Sequence, residues 1–360
     1  MARVAMAMSG GVDSSVAAAL LKEKGHEVIG IHMKLYQGNN DNHRQKSCCS
    51  HDETIDARKT CYKLGIPFYT LDYTKEFREL VINHFLREYS LGLTPNPCVM
   101  CNKKIKSDLL LKKMEDIDCD FLATGHYARI FNNNEGHLQL AKAKDLQKDQ
   151  TYFLYGIKSI DIKRLMFPLE NKTKNNVRIL ANKLNLINAK KPDSQEICFV
   201  QKDYRNFYKK EIKTPPKPGN FLSISGEILG EHTGIPYYTV GQRRGIKISD
   251  KTPFYVIKID AKNNSVVLGK EKDLFSKNTL VSEVNWVSIP PPKKPIHVTA
   301  KVRYGHKGSK AKIIPMSRNQ IHLIFEEPER SITPGQSAVF YRNDILLGGG
   351  KICDRTFITE

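Results

Sequence analysis

The 360-residue sequence has no run of 18 or more apolar residues, so no segment is long enough to cross a bilayer as a helix. Its opening, RVAMAM (Arg3 to Met8), has strand character and lacks the basic, apolar and small-residue regions of a secretory leader. A cytoplasmic protein without a membrane partner is expected. Acidic residues are scarce relative to basic ones: 38 Asp and Glu stand against 57 Lys and Arg, a net charge of +19. That excess favours polyanions through counterion release and electrostatic steering, which makes nucleic acid the natural partner. A Lys- and Asn-rich genome inflates a basic count too, so charge alone is a weak argument.

Two motifs are also missing. GxxxxGK[ST] does not occur, which excludes a Walker A loop. CxxC occurs once, whereas structural zinc sites commonly use two such pairs. Eight cysteines in a reducing compartment do not make a static disulfide framework, leaving redox, metal or nucleophilic roles. Cys61, Cys119 and Cys353 read as small apolar packing residues. Cys48 and Cys49, in the polar loop Gln37 to Ser50, receive no role. Internal repeats and low-complexity segments are absent as well.

What is present begins with a strand–helix alternation. Strand Arg3 to Met8, helix Asp13 to Lys24 and strand Val28 to Met33 are followed, after the polar loop, by a helix ending near Gly65 and strand Phe68 to Tyr73. A helix over Lys75 to Tyr89, the turn LTPNPC, a helix through Leu109 to Leu111 and strand Asp120 to Ala128 complete the series. The alternation predicts an α/β fold with a doubly wound, Rossmann-like parallel sheet whose ligand sits at the carboxyl ends of the strands. Beyond about residue 205 the runs shorten and glycine punctuates them. KTPPKPGNF (Lys213 to Phe221) reads as a linker and PPPKKP (Pro290 to Pro295) as a second break; short alternating runs after it predict a small β-barrel or sandwich. Three domains are expected: 1–205 catalytic, 206–289 central and β-rich, 290–360 a C-terminal β-barrel.

SGGVDSS (Ser9 to Ser15) lies between the first strand and the first helix, where backbone N–H groups and the positive helix end favour an anion. Gly10 and Gly11 let the backbone approach phosphate oxygens. Ser9, Ser14 and Ser15 offer hydroxyls, and Asp13 is suited to cap the helix or help hold Mg2+. The alternative is an ordinary Gly-Gly turn with a polar cap; the position after the first strand of a βαβ unit argues for nucleotide. TGHYAR (Thr124 to Arg129) closes a later strand at the same edge, bringing Gly125 toward the nucleotide and His126 toward the substrate. Met33, ending the second strand, is placed to pack on an adenine. The loop resembles that of the N-type ATP pyrophosphatases, which implies cleavage of ATP between its α and β phosphates.

NPCVMCN (Asn96 to Asn102) sets Cys98 and Cys101 three residues apart, just before the basic helix NKKIKSDLLLKK. A helix N-terminus and lysines favour a thiolate. Cys198, in DSQEICFV (Asp193 to Val200), occupies a strand-like stretch. A thioredoxin-like dithiol leaves the ATP loop unexplained. An iron–sulfur cluster on Cys98, Cys101 and Cys198 is chemically reasonable, since three thiolates leave one iron open. A metal-free sulfur relay is simplest: adenylation makes a uridine carbonyl oxygen part of a leaving group, a persulfide attacks the carbon, and a second cysteine releases the sulfur by disulfide formation.

SGGVDSS, TPNPCVMCNKKIK, ATGHYAR, KDQTYFLY, DSQEICF, HTGIPYYTVGQRRGI, VRYG and ITPGQSAVFY occur in this order, and together they resemble the bacterial tRNA-specific 2-thiouridylases over nearly the whole chain. The resemblance implies an ATP site over Ala7, Met8, Ser9, Gly10, Gly11, Val12, Asp13 and Ser14 with Met33 and Gly125. It implies Cys101 as nucleophile, Cys198 as persulfide carrier, a disulfide between them, and Asn96, Pro97 and Cys98 bordering the target base. It places Lys148, Asp149, Gln150, Arg303 and Tyr304 at tRNA, and His126 and Gln336 where tRNA selection is tuned. The implied cofactors are ATP and Mg2+, with an iron–sulfur cluster left open. The implied partners are the tRNAs for Lys, Glu and Gln and a persulfide donor such as a cysteine desulfurase or sulfur-relay protein. Family members vary at the position of Cys98, some carrying an acidic residue, which puts an obligatory CxxC metal site in doubt.

Residue chemistry supports RNA contacts in two further places. KDQTYFLY (Lys148 to Tyr155) combines a cation, an amide and aromatics suited to phosphate and base stacking. It also reads as the start of an amphipathic helix whose Tyr152, Phe153 and Tyr155 pack inward, so Lys148, Asp149 and Gln150 are expected at the RNA and at least Phe153 in the core. GQRRG (Gly241 to Gly245) and KVRYGHKGSK (Lys301 to Lys310) are basic runs suited to phosphate, although such runs are usually solvated faces. The rival activities are another adenylating ligase with the same loop, and an RNA-binding chaperone whose nucleotide loop is vestigial.

Overall fold

The first strand, RVAMA, lacks apolar–polar alternation, and a strand apolar on both sides belongs in the middle of a parallel sheet. In the computed structural model, which describes residues 1–36, 51–193, 197–200, 203–317 and 319–354, that is where it lies. The polar loop with Cys48 and Cys49, and Ser194 to Glu196 of DSQEICF, lie outside the described residues. The chain divides into two compact units: residues 1–82, 98–202 and 344–346, and residues 83–97, 203–343 and 347–360.

The first unit runs β1 (Arg3–Ala7), α1 (Val12–Glu23), β2 (Glu27–Lys34), α2 (His51–Leu64), β3 (Phe68–Asp72) and α3 (Thr74–Phe77), which continues into the wider helical turns Arg78–Ile82. The next helix, α4 (Asn83–Ser90), is counted with the second unit. Helix α5 (Pro97–Met100) leads through wide turns over Cys101–Leu110 into α6 (Leu111–Glu115). Then come β4 (Phe121–Ala123), the antiparallel pair β5 (Ala128–Asn132) and β6 (Leu138–Lys142), β7 (Leu165–Met166) and α7 (Lys174–Lys183). The parallel sheet has the order β3-β2-β1-β4-β7. Strand order therefore reverses beside β1, with β2 on one side and β4 on the other, and the loops after β1 and β4 open at this switch point.

Helix α1 presents Val12, Val16, Ala17 and Leu21 to a core shared with Val4 and Met6 of β1 and with Val177 and Ala181 of α7. It stops at Lys24 because Gly25 adopts φ +80 and its N–H donates to the Lys22 carbonyl at 2.9 Å, a left-handed end that glycine takes without a side-chain clash.

Three local expectations change. The strand expected over Asp120 to Ala128 ends at Ala123, because residues 124–127 leave the sheet and Gly125 packs against the backbone of Asp13 and Ser14. Cys98 and Cys101 lie within helical turns rather than ahead of the helix. Pro97 explains the earlier start, since its fixed φ and missing N–H suit the first helical position. Cys198 lies in a turn, not a strand, with the Val200 N–H on the Ile197 carbonyl at 2.9 Å.

In the second unit, α8 (Tyr204–Glu211) precedes a sheet of β8 (Gly219–Leu222), β9 (Ile228–His232), β10 (Tyr255–Asp260) and β11 (Ser265–Gly269), in the order β10-β11-β8-β9. Phe221, Ile235, Tyr238, Ile246, Val256, Val266 and Leu268 fill its core. Six strands follow: β12 (Phe275–Trp286), β13 (Ile296–Lys301), β14 (Ser309–Ser317), β15 (Gln320–Arg330), β16 (Ser337–Arg342) and β17 (Ile345–Asp354). Their order β12-β15-β14-β13-β16-β17 is closed by pairing of β12 with β17, which removes the open edges of the barrel. PPPKKP is thus a connection inside the barrel, between β12 and β13. Cys353 does not pack inward as expected: strand alternation buries Ile352 and exposes Cys353, whose thiol donates to Ser282 Oγ at 2.8 Å. Cys61 and Cys119 are buried, and burial pushes the Cys61 thiol up to about 12.

Candidate nucleotide and sulfur-transfer site

The loop after β1 is shaped by what cannot be placed there. Gly10 has φ +75, and a Cβ on it would press into the Glu53 carbonyl. From the other side, a Cβ on Gly125 would lie 2.7 Å from the Ser14 nitrogen. Backbone therefore meets backbone on both flanks of SGGVDSS, and the first turn of α1 carries N–H groups without an intrahelical carbonyl, the kind of helix end that favours an anion. Hydroxyls brace the turn: Ser14 Oγ and Ser15 Oγ donate to the Gly11 carbonyl at 3.1 and 2.9 Å, and the Gly11 N–H donates to Ser9 Oγ at 3.3 Å. Gly11, not Asp13, is the N-cap, and it supplies no side chain.

Asp13 faces a cation instead. Lys174 Nζ lies 2.8 and 2.7 Å from its two carboxylate oxygens, and the Tyr127 hydroxyl donates to Oδ1 at 2.8 Å. Lys174 also pairs with Asp193 at 2.7 Å, and Asp193 accepts from Lys148 at 2.8 Å and Arg178 at 2.9 Å. Burial raises the Asp193 pKa, but the bonds from Lys148 and Lys174 outweigh it and hold the carboxyl down at about 2. A network of two carboxylates and three cations thus joins the loop to the residue that opens DSQEICF.

On the remaining side, Asn188 is buried and its Nδ2 reaches the Gly10 and Gly11 carbonyls and Ser15 Oγ at 3.3, 3.2 and 2.6 Å, while its Oδ1 has no hydrogen-bond partner. Lys191 Nζ reaches the Gly10 carbonyl at 3.3 Å and Asp56 at 2.9 Å. His32, beside Met33 on β2, fixes the end of β1: one ring nitrogen meets the Met8 carbonyl at 2.8 Å and the other the Thr54 hydroxyl at 3.0 Å. Burial lowers the His32 pKa, so the neutral ring donates to Met8 and accepts from Thr54.

His126 is held between Thr124 Oγ1, 2.7 Å from Nδ1, and Lys106 Nζ, 3.3 Å from Nε2. Burial, then the Lys106 charge, keeps its pKa well below the ordinary histidine range. Because ammonium only donates, Nε2 accepts from Lys106 and Nδ1 carries the proton. Cys98, Cys101 and Cys198 are each half-buried in this unit, and Met33 is half-buried at the strand end. Among the described residues no three His, Cys, Asp or Glu side chains cluster closely enough to hold a metal ion, so the three cysteines do not form a cluster-ready triad in this conformation.

Three sequence models match the chain in succession: a family described as tRNA methyl transferase HUP domain over residues 2–202, its PRC-barrel domain over 205–270, and an aminomethyltransferase beta-barrel domain over 276–352. Proteins named tRNA-specific 2-thiouridylase MnmA are similar over almost their whole length. The one from Halothermothrix orenii is 46% identical over 354 residues, covering 98% of this chain and 99% of its own. The one from Clostridioides difficile is 45% identical over 352 residues, covering 97% and 98%. The chain belongs to the tRNA-specific 2-thiouridylase family.

Other residues that the 2-thiouridylase resemblance singles out have structural partners. Gln150 closes on Tyr127, its side-chain carbonyl accepting from the Tyr127 N–H and its own N–H donating to the Tyr127 carbonyl, both at 3.0 Å. Asp149 is buried and accepts from the Thr151 hydroxyl at 2.8 Å, and Lys148 is the cation on Asp193. Tyr152 and Tyr155 pack inward as expected, whereas Phe153, expected in the core, is only half-buried. In the second unit, Pro97 is buried and Asn96 half-buried, and Gln336 donates to the Thr94 and Pro95 carbonyls at 3.0 and 3.4 Å. Arg303 and Tyr304 are exposed. Sequence reading missed Tyr127, Lys174, Asn188 and Lys191. Tyr127 stood inside TGHYAR, but Lys174, Asn188 and Lys191 lie in unremarkable polar stretches that only folding brings to the loop.

Proposed function

We propose that the protein is an ATP-dependent tRNA 2-thiouridylase acting on the wobble uridine of the tRNAs for Lys, Glu and Gln. The observation that carries this is the SGGVDSS loop at the switch point, pinned between Gly125 and Glu53, in a chain similar over nearly its full length to named 2-thiouridylases. Although the matching domain models are described by methyl transfer, a loop built for phosphates suits ATP cleavage.

The phosphates of ATP fit the cradle of Ser9, Gly10, Gly11, Val12, Asp13 and Ser14, with Met33 beside the base. Magnesium bound with ATP would neutralise charge on the departing pyrophosphate. The uridine O2 attacks the α-phosphorus, and pyrophosphate leaves. The terminal sulfur of a Cys198 persulfide then attacks C2. Cys101, as thiolate, attacks the Cys198 sulfur; the sulfur–sulfur bond breaks toward the nucleoside, AMP departs with the original oxygen, and a Cys101–Cys198 disulfide remains. The two electrons that reduce the sulfane sulfur come from the two cysteines, so each turnover requires a dithiol reductant and a fresh persulfide donor. Lys174 and Arg178, through the network at Asp13 and Asp193, would balance phosphate charge, and Asn96, Pro97 and Cys98 are the residues that the family resemblance assigns to the border of the base.

The test is a Cys198→Ser variant assayed with tRNA and a persulfide donor. Thiolated tRNA is lost while tRNA-dependent pyrophosphate release persists. Thiolation at the wild-type rate in this variant would refute the relay. Pyrophosphate release without thiolation by the wild type would favour a different adenylating ligase.

A further inference from the structure

Within the central region, α8 and the segment 233–245 enclose a cleft of about 150 Å3. Arg205 and Lys209, one helical turn apart on α8, share a face and line one wall; Thr233, Tyr237, Gln242 and Gly245 line the other. No carboxylate is among the lining residues.

Gly245 has φ +83, and the point where its Cβ would stand lies 3.7 Å from both Arg205 Nη1 and Gln242 Nε2, so two donor nitrogens flank the space that a side chain there would occupy. Gln242 is held by its carbonyl, which accepts from the Thr239 N–H at 3.1 Å. Its amide nitrogen spends one hydrogen on the Arg244 carbonyl at 2.9 Å, leaving the other available. Lys209 Nζ lies 5.1 Å from the Tyr237 ring centre, a distance at which the ring face steadies the ammonium. Arg205 Nε is buried without a hydrogen-bond partner, although the guanidinium also interacts with the Tyr204 hydroxyl. The nearest carboxylate, Asp203, is 3.9 Å from it and already caps α8 through the Arg205 N–H at 2.9 Å. A buried guanidinium nitrogen lacking an acceptor is costly, and an oxyanion supplies one.

We propose that this cleft is a phosphate site that takes one backbone phosphodiester of the RNA substrate, with Arg205, Lys209 and Gln242 as its ligands. Arg243 and Arg244 of GQRRG are exposed next to it in sequence and add positive charge. The site reads no base, because phosphate contacts position without carrying sequence information. This inference rests on the RNA-substrate reading above.

The full-length protein carrying Arg205→Met, Lys209→Met or Gln242→Glu, each checked for an unchanged melting temperature, is titrated with a tRNA transcript across a salt series. Lys262→Met, an equal loss of charge in an exposed turn outside the lining, serves as control. Each cleft variant is expected to bind about tenfold more weakly, equally for cognate and unrelated tRNAs. The slope of log K against log salt should fall by about one in the lysine and arginine variants and little in the control. Inorganic phosphate in the millimolar range should compete with tRNA in the wild type alone. Equal effects of Lys262→Met, loss of affinity for cognate tRNA alone, or phosphate binding that leaves tRNA affinity untouched would overturn the proposal. Wild-type protein that fails to bind tRNA would instead sink the RNA-substrate reading itself.

Discussion

Asp193 shows how a single carboxylate links two parts of the site. Its pKa is held below the unfolded value of 3.8, at about 2, by Lys148 and Lys174 against the opposing effect of burial. A depressed carboxyl contributes stability that is present above the unfolded pKa and lost as pH falls through the folded one. Wild-type protein is therefore expected to lose about 2 kcal/mol more than Asp193→Asn between pH 4 and pH 2, measured by denaturant titration at each pH. Gly125 is a steric counterpart. Gly125→Ala places a methyl 2.7 Å from the Ser14 nitrogen, so the loop must shift. Tenfold or greater loss of ATP affinity is expected from a displacement of that kind, with a native circular-dichroism spectrum, as read by calorimetry.

Among the elements, α7 has the least obvious function, because its packing face looks ordinary and its contribution comes from its first residue. Thr173 caps it, with the Asn176 N–H donating to Thr173 Oγ1 at 3.2 Å and the Thr173 N–H donating to Asn176 Oδ1 at 3.3 Å. That cap sets Lys174 on Asp13. Thr173→Ala is expected to cost about 1 kcal/mol of stability and, by loosening Lys174, to raise the ATP concentration for half-maximal pyrophosphate release; an unchanged ATP dependence would separate the cap from the site. Most of the strands and the glycine loop after the first of them were legible because apolar runs and Gly-Gly turns are local signals. The early end of the strand at Ala123 was not, because it follows from contact between Gly125 and a helix more than a hundred residues earlier. Nor was the network around Asp13: Lys174, Asn188 and Lys191 carry no motif, and their meaning comes from tertiary proximity.

For the molecule as a whole, a net charge of +19 predicts steep salt dependence of RNA affinity, at least a hundredfold loss between about 50 and 200 mM salt if several phosphates are engaged; filter binding checks it. The proposed chemistry makes a narrower demand: the uridine oxygen activated by ATP leaves with AMP. The direct test uses tRNA whose target uridine carries 18O at the C2 carbonyl, incubated with the protein, ATP and a persulfide donor, followed by mass spectrometry of the AMP and the nucleoside. The expected result is one 18O in the AMP phosphate for each 2-thiouridine formed. Thiouridine accompanied by unlabelled AMP, with the label in water or retained in the RNA, would contradict it.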